Sequence, residues 1–356
     1  MMSAAGLSSA DVALVSTIYD PPRANRPWMV DEILPPGITR YYSLARWALV
    51  DALRACGVEL GDRVLVPELV CREVLAAVHT VGATPAFYPV TTALVPATDA
   101  GHFAPGKAIL AVNYFGFPQD LTEFRAYCAR TGAALIEDNA HGLLSRDIDG
   151  AWLGGRGDAG IFSFRKTIHV PGGAALVVTR QRNEVPQPLE PVLGSSAHFR
   201  LKQAFRHAAG RIGPARTVKT IAAVRTIQVL TGNTGAASGA SDAETRIPIA
   251  PNPPAAVTRP LTVTSPQAET HRRRALYDLV GRLLAAVGAT AVYPRLPSNT
   301  VPYGFPILAS ASDGGSLARY LTRRGLLLAQ WPDLPAAVAS AAPAHYRNLR
   351  VVPFLW

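Results

Sequence analysis

The feature that most constrains the fold of this 356-residue chain is the alternation of short apolar runs with segments of helical periodicity. Strands that alternate with helices assemble into a mostly parallel sheet through right-handed crossovers. We therefore predict an α/β fold whose ligands bind beyond the carboxyl ends of the strands. The predicted strands are Arg63–Val66, Ala108–Val112, Ala134–Ile136, Ile161–Phe164 and Ala174–Val178. The predicted helices are Tyr41–Cys56, Glu73–Val81 and Leu121–Arg130.

The length and the distribution of Gly, Ser and Pro predict two domains. Residues 1–230 are expected to form a large domain, with residues 1–36 as an N-terminal arm. Residues 231–266 are rich in Gly, Ser and Pro, which favours an irregular or mobile connection. Residues 267–356 are expected to form a smaller α+β domain that begins with a helix. Its predicted elements are a helix from Glu269, a strand at Tyr303–Leu308 and a helix at Leu317–Arg324.

Composition excludes several classes of protein. The three cysteines, Cys56, Cys71 and Cys128, have neither paired nor metal-ligand spacing, which predicts a reducing, cytoplasmic location without disulfides. The N-terminus lacks the basic start and continuous apolar core of a secretory signal. No run of eighteen apolar residues predicts a membrane span. The histidines share no ligand spacing, so we predict no metal site.

The net charge of +10 is concentrated in the segment 200–225, because no acidic residue lies between Glu190 and Asp242. Apolar residues recur there at four-residue spacing, as on one helix face: Leu201, Phe205 and Ala209. Such a helix could be a solvated face, could contact an anionic membrane surface, or could bind a nucleotide diphosphate or a partner chain. Nucleic-acid binding is not expected, because no binding motif or aromatic platform accompanies the charge.

Two polar segments in 134–173 have the order of a pyridoxal phosphate (PLP) site. Asp138 follows an apolar run, and His141 comes three residues later. Ser163 and Lys166 follow in a short polar segment that is closed by a glycine pair. PLP chemistry needs an acid at the pyridine nitrogen, because the protonated ring is the electron sink. It also needs a lysine whose neutral amine can form a Schiff base.

On these motifs the chain resembles the DegT/DnrJ/StrS type of PLP-dependent sugar aminotransferases, which have the aspartate aminotransferase fold (fold type I). The resemblance runs from Gly37 to Leu144, resumes from Gly154 to Val178, and is weaker from His271 to Trp331. The motifs that carry it are Glu137-Asp138-Asn139-Ala140-His141, Gly157-Asp158-Ala159 and Phe162-Ser163-Phe164. The resemblance implies a large PLP-binding domain and a smaller closing domain.

The resemblance implies that Asp138 keeps the pyridinium charged, that His141 lies on the phenolic oxygen side of the ring and that Ser163 contacts the phosphate. Counted from Ser163, the family's Schiff-base lysine falls on Ile168. Lys166 is one residue from the offset expected from the glycine pair, and a shortened loop reconciles the two counts. We therefore predict Lys166 as the catalytic lysine. Alternatively, Lys166 only solvates this loop, or His169 replaces the lysine, as a histidine does in related sugar dehydratases.

Two further positions depart from the family pattern. The phosphate-gripping Gly-Thr aligns with Ala45-Arg46, where helix amides and Arg46 could still hold a phosphate. Arg46 could equally be a surface residue. The aromatic residue that stacks on the PLP ring aligns with Cys71, which offers less stacking surface and could simply be a small buried residue.

Several residues have two interpretations from sequence. The Asn113–Gly116 segment could line the site or only form a turn. Asp158 could serve the cofactor or cap a turn. Tyr303 and Trp331 could face substrate or pack in the core.

The resemblance implies an aminotransferase that acts on a keto-sugar, nucleotide-linked, with an amino acid such as glutamate as donor, in a homodimer. The family's Asn-containing motif, which reaches the neighbouring subunit's site, has no convincing copy here. An inactive binding or partner subunit is therefore an alternative, as is a PLP enzyme of another reaction type, dehydration or condensation. Asp138 and His141 favour cofactor binding over a bare scaffold.

Overall fold

The computed structural model describes residues 6–194, 197–221 and 242–355. Its largest element is a seven-stranded sheet with the strand order β1-β7-β6-β5-β4-β2-β3. The strands are β1 (Ile38–Tyr42), β2 (Arg63–Pro67), β3 (Thr84–Tyr88), β4 (Ala108–Val112), β5 (Ala134–Asp138), β6 (Ala159–Ser163) and β7 (Ala174–Val178).

The large sheet is mostly parallel, which confirms the predicted fold class. Strands β3, β2, β4, β5 and β6 pair in parallel, and β7 runs antiparallel to both β6 and β1. Every residue of β4, β5, β6 and β7 is buried, as expected for strands covered on both faces. The carboxyl ends of β4, β5 and β6 therefore share one edge.

The helices of the described chain cover this sheet and extend into the C-terminal region. They are α1 (Ser9–Ser16), α2 (Ala45–Ala55), α3 (Leu75–Thr80), α4 (Thr122–Thr131), α5 (Ala197–Ile212), α6 (214–221), α7 (Pro266–Ala285), α8 (Ala311–Thr322), α9 (Ala336–Ala339) and α10 (Ala344–Asn348). Leu49, Ala52 and Leu53 of α2 are buried at helical spacing, and α2 packs on β6 and β7.

The prediction that one helix covers Tyr41–Cys56 is wrong at its start. Tyr41 and Tyr42 belong to β1, where they pair with Ala175 and Ala174 of β7. Aromatic residues suit a pleated, half-buried surface, and the cross-strand partners override the helical spacing. The helix itself begins at Ala45.

Two other boundaries differ where the chain leaves the sheet. The predicted helix Glu73–Val81 is a 3₁₀ turn at Arg72–Val74 followed by α3. The predicted strand Ile161–Phe164 ends at Ser163, and Phe164 opens a 3₁₀ turn, Phe164–Lys166. Such turns commonly connect regular elements, and this one places Lys166 just beyond the carboxyl end of β6.

The C-terminal region contains a four-stranded antiparallel sheet in the order β10-β11-β9-β8. Its strands are β8 (Thr290–Ala291), β9 (Gly304–Leu308), β10 (Ala329–Gln330) and β11 (Leu349–Pro353). The helix predicted at Leu317–Arg324 begins earlier, at Ala311, because Ser310 caps it by accepting a hydrogen bond from the Asp313 amide. A second, smaller α+β unit agrees with the predicted architecture, and its exact borders remain a prediction.

Part of the predicted connection, residues 231–241, lies outside the described residues. The described part is irregular and forms hydrogen bonds with the N-terminal part of the chain, next to the large sheet. Pro251 accepts from the Ser43 amide, Ile249 accepts from Trp47 Nε1, and Leu261 pairs with Trp28. These bonds fasten the segment to the start of α2.

The basic segment lies on α5 and α6, and residues 222–225 lie outside the described part. Leu201 is exposed while Phe205 is half-buried, so these two predicted face residues do not share one buried surface. The side chain of Ala209 is not described. Across residues 6–194, 197–221 and 242–355, the helices are all too short or too polar to span a membrane.

Candidate active site

Asp138 is the last residue of β5 and lies at the carboxyl edge of the large sheet. It is only 8% exposed, and its Oδ1 accepts a hydrogen bond from the Ala140 amide at 3.0 Å. Burial raises the pKa of the carboxyl above its usual range. A cationic group placed beside this buried carboxyl would stabilise its charged form.

Lys166 ends the 3₁₀ turn that follows β6. Its Nζ lies 3.1 Å from Nε2 of His141, and its side chain lines the same cavity as Asp138. Ile168, the position reached by counting from Ser163, is 2% exposed within an apolar cluster. The shortened loop therefore brings the amine, rather than the isoleucine, to the sheet edge.

The cavity beside Asp138 and Lys166 has a volume of about 160 Å³. An engineered protein cavity of about 150 Å³ holds benzene, so a six-membered ring fits here. Further lining residues are Ser43, Leu44, Leu49, Cys71, Ala140 and Ile161. A combination of apolar walls with polar side chains that converge on one cavity is typical of a small-molecule site.

One end of the cavity is suited to an anion. The N-terminus of α2 opens onto it, and Leu44 at the cap position provides no side-chain hydrogen bond to the first amides. Such amides bind phosphate readily. Arg46, Arg165 and Ser163 line this cavity together with one carboxylate, that of Glu73, and burial lowers the pKa of Arg46. Sequence reasoning missed Arg165, although it directly precedes Lys166.

Cys71 lines the cavity at the position where the family has a stacking aromatic residue. Burial raises the pKa of its thiol to about 12, so the group is neutral at physiological pH. The thiol supplies an apolar wall rather than a ring or a charge.

His141 lies between two aromatic rings. Tyr303 stacks on it at 4.3 Å between ring centroids, and Phe115 stacks on it at 5.6 Å. The ring of Trp331 lies 5.6 Å from that of His141, and both residues line a smaller cavity of about 40 Å³ that shares Cys71, Asp138 and Lys166 with the first one. Tyr303 and Trp331 therefore pack around a predicted site residue, and a contact with substrate stays a prediction.

Phe115 also orients the imidazole through its backbone. Its amide donates to Nδ1 of His141 at 3.3 Å. The residue has φ 55°, a left-handed conformation that non-glycine residues adopt rarely and mostly at functional or switch positions. The turn after β4 thus reverses the chain and also orients the imidazole of His141.

Asn113, at the start of that turn, belongs to a buried polar network. Its Nδ2 donates to Glu137 Oε2 at 3.0 Å, and its Oδ1 accepts from Arg156 Nη2 at 2.9 Å. Arg156 also forms a 2.7 Å ion pair with Glu137. This network ties the carboxyl ends of β4 and β5 together beneath the cavity.

Arg273 supports the site from the C-terminal region and was also missed by the sequence analysis. It is fully buried on α7, where Glu269 Oε1 accepts from its Nε at 2.5 Å. Its Nη2 donates to the carbonyls of Lys166 and Thr167, and its Nη1 donates to the Tyr303 carbonyl. The arginine run at 272–274 was visible in the sequence, but nothing local indicated this target.

Two candidates from the sequence do not belong to this cavity. Asp158 lies at the opposite strand end, where its Oδ2 accepts from the Leu135 amide and pairs with Arg182. It therefore serves the fold and not a cofactor beside Asp138. His169 lines a separate cavity and packs against Phe199 at 5.3 Å. In this geometry His169 does not take the place of the lysine. Within the described ranges no cluster of His, Cys, Asp and Glu could hold a metal ion.

The residues present fit pyridoxal phosphate. Asp138 supplies the acid for a ring nitrogen, Lys166 the amine, and the α2 terminus with Arg46 and Arg165 the phosphate site. His141 lines the smaller adjoining cavity, next to Lys166 and Asp138.

Comparisons with known proteins agree with this geometry. Residues 45–187 match the model of the DegT/DnrJ/EryC1/StrS aminotransferase family, which confirms the resemblance seen in the sequence. A stretch of 138 residues is 37% identical to a UDP-N-acetyl-3-dehydro-alpha-D-glucosamine 3-aminotransferase from Acidithiobacillus ferrooxidans. Protein MosB from Rhizobium meliloti is 34% identical over 140 residues. Each match covers 37% of this chain, and they span 37% and 27% of the two relatives, about a third of their length.

Solved structures match over nearly the whole chain. The aminotransferase TlmJ from Streptoalloteichus hindustanus has a TM-score of 0.55 at 20% identity, covering 98% of this chain and 91% of that one. PseC from Helicobacter pylori, an aminotransferase of pseudoaminic acid biosynthesis, has a TM-score of 0.57 at 14% identity with coverages of 98% and 91%. At these identities the likeness establishes the fold alone.

Proposed function

Since residues 45–187 match the model of the DegT/DnrJ/EryC1/StrS aminotransferase family, we propose that this chain is a PLP-dependent sugar aminotransferase. Its proposed acceptor is a nucleotide-linked keto-sugar, and its proposed donor is an amino acid such as glutamate. The 37% identity to the Acidithiobacillus enzyme, whose name gives a UDP-linked 3-keto sugar, supports this acceptor class. We also expect a homodimer, as the family resemblance implies.

The observation that carries the proposal is that Asp138 and Lys166 line one ring-sized cavity with an anion site at its end. An acid, an amine and a phosphate site are the three groups that PLP requires, and they come from β5, the turn after β6 and the start of α2. Two alternatives were left open by the sequence: that Lys166 only solvates its loop, and that Asp138 belongs to a scaffold without cofactor. Neither explains why both side chains line the same cavity.

When bound, PLP supplies an aldehyde for amino groups and a ring that withdraws electrons from the attached carbon. Asp138 would hold the proton on the ring nitrogen, because its buried carboxylate needs a cationic partner. Lys166 Nζ would remove the proton from the donor's α-carbon and return one to the carbon of the keto-sugar, as a general base and acid. The first amides of α2, Arg46 and Arg165 would hold the phosphate.

The aromatic residues would complete the site. Tyr303 and Trp331 pack against His141 and restrict access of water from the side of the smaller sheet. A site that excludes water strengthens the electrostatic interactions within it. Cys71 would pack against the cofactor ring as a neutral apolar wall.

A second candidate function is a binding or partner subunit that keeps the fold and has lost transamination. Arg46 and Cys71 at family positions for threonine and an aromatic residue favour it. A PLP enzyme of another reaction type, dehydration or condensation, is the third. Two successive experiments distinguish the three candidates.

The experiment is a spectral titration of the purified protein with PLP, followed by borohydride reduction and peptide mapping. Lys166→Ala is compared with Lys107→Ala, because Lys107 is an exposed lysine remote from the cavity. We expect visible absorbance and a reduced cofactor on the peptide that contains Lys166, in the parent and in Lys107→Ala but not in Lys166→Ala. Reduced cofactor on other lysines only, or on no lysine, would exclude a PLP enzyme that uses Lys166.

Incubation of the loaded protein with glutamate then separates the enzyme classes. An aminotransferase should convert the cofactor to its amine form and release 2-oxoglutarate before any sugar is added. A keto-sugar nucleotide should then restore the original spectrum and gain an amino group. Cofactor binding without this exchange would favour another reaction type.

A further inference from the structure

Both ring nitrogens of His141 lie within hydrogen-bond distance of a nitrogen atom of another residue. The Phe115 amide lies 3.3 Å from Nδ1, and Nζ of Lys166 lies 3.1 Å from Nε2. A backbone amide can only donate, so Nδ1 must be the unprotonated, accepting nitrogen.

The ring is neutral in this environment. His141 is 6% exposed and is enclosed by Phe115 and Tyr303. Burial is the main cause that holds the pKa of His141 well below its usual range. A neutral imidazole carries one proton, and with Nδ1 accepting, that proton lies on Nε2.

The Nε2–H therefore points at Lys166 Nζ, which must accept it. An ammonium group has three donors and no acceptor, whereas a neutral amine has one lone pair. We propose that His141 is a positioning residue that donates its Nε2–H to Lys166 Nζ and so holds this side chain as a neutral amine, poised to attack a carbonyl carbon. The turn that fixes Phe115 selects the tautomer on which the contact depends.

Other groups around Lys166 act against or beside this contact. Asp138 faces the amine from β5 and favours its charged form, and Cys71 faces it from the loop before α3 as a neutral thiol. Arg273 backs the lysine turn from α7. Among these groups, His141 is the one whose N–H donates to Nζ of Lys166, and this hydrogen bond requires the lone pair of a neutral amine.

The inference rests on the proposed function for its purpose, but its test uses the protein without cofactor. Brief pulses of acetic anhydride acetylate neutral amines only, and mass spectrometry gives a rate for each lysine. Lys107 and Lys219 are exposed and serve as internal references. The variants are His141→Phe, which keeps an aromatic ring without a donor, and His141→Gln, whose amide can still donate.

At pH 8 we expect Lys166 to react faster than both references once rates are normalised to those of the denatured chain. His141→Phe should slow Lys166 by about tenfold, the effect of one net hydrogen bond of about 1.4 kcal/mol. His141→Gln should restore most of the rate. Near pH 11, where ordinary lysines are largely neutral, the difference between parent and His141→Phe should disappear.

A difference that persists at pH 11 would indicate altered access to the cavity and would overturn the inference. So would a ¹⁵N histidine spectrum that places the proton of His141 on Nδ1. Slow labelling of Lys166 in a protein that still fixes PLP on Lys166 would refute the inference and leave the proposed function intact. Fast labelling of Lys166 in a protein that does not bind PLP would support the inference and refute the proposed function.

Discussion

The backbone carbonyl of Lys166 accepts a hydrogen bond from Nη2 of Arg273 at 3.1 Å, although the two residues are 107 positions apart in the chain. The same guanidinium donates to the Tyr303 carbonyl, and Tyr303 stacks on His141. One buried arginine thus supports both the turn with the amine and the ring beside it. The charge of Arg273 is balanced on its own helix by Glu269.

Replacing Arg273 by Met should destabilise the protein and loosen the site together. The variant leaves several carbonyls without donors and weakens a buried ion pair, a loss of about 3–5 kcal/mol. Urea unfolding measures the loss, and spectral titration should show weaker PLP binding. His271→Ala, an exposed neighbour on α7, is the control and should change neither. Equal behaviour of the two variants would remove Arg273 from the support of the site.

Replacing Arg46 or Arg165 by Ala should weaken binding of PLP and leave binding of pyridoxal, which lacks the phosphate, nearly unchanged. In the proposed site each arginine would supply a charge-assisted contact of about 1.5–3 kcal/mol, equivalent to roughly 10- to 150-fold in affinity. The two ligands are titrated in parallel by absorbance. If both ligands lose affinity equally, the arginines act on the fold of the cavity and not on a phosphate.

Replacing Asp138 by Asn should stabilise the cofactor-free protein while it weakens PLP binding. Burial raises the pKa of Asp138, so the folded state binds a proton more readily than the unfolded state. Its contribution to stability therefore falls as pH rises through the folded-state pKa, and Asn removes this cost at pH 7. We expect a gain of about 1–3 kcal/mol at pH 7 in urea unfolding.

The gain should shrink towards pH 4 and below, where the parent carboxyl is protonated as well. Asn can still accept from the Ala140 amide through its Oδ1, so that contact is kept. A variant that is less stable than the parent at pH 7 would show that the charge is well compensated without cofactor.

Replacing His141 by Phe should flatten the loss of stability on mild acidification. The pKa of His141 is depressed, so below its unfolded value of 6.5 the unfolded state binds the proton that the folded state refuses. Stability is then lost as pH falls, at up to about 1.4 kcal/mol per pH unit. Unfolding curves of both proteins at pH 7, 6 and 5 measure the difference. Parallel slopes would mean that the folded ring does take up the proton.

Replacing Gly160 by Ala should damage the fold of the large sheet. A Cβ at Gly160 would lie 1.9 Å from the Gly154 carbonyl oxygen, a backbone atom that cannot move aside alone. Overpacking of this kind costs about 1–3 kcal/mol or more. Gly315→Ala is the matched control, because Gly315 is exposed in α8 and a Cβ there would make only an ordinary 3.9 Å contact with the side chain of Arg319. That variant should gain up to about 1 kcal/mol from helix propensity. Thermal unfolding distinguishes the two.

The sequence by itself determined the α/β class and the position of Asp138. Buried strands such as Ala108–Val112 and Ala174–Val178 are continuous apolar runs, and their residues carry that information locally. It did not determine where β1 ends, because Tyr41 and Tyr42 follow the helical spacing yet pair with β7. Cross-strand partners are chosen by packing and not by local periodicity.

The lysine shows the same limit at the site. Counting along the chain left Ile168 and Lys166 in competition, and His169 as a further alternative. Only the tertiary structure separated them, by sending Ile168 into the core, His169 to another cavity and Lys166 to the sheet edge. Arg273, Tyr303 and Phe115 reach this edge from distant segments. Periodicity encodes which face of an element is buried, whereas the meeting of distant side chains depends on how the sheets and helices pack against one another.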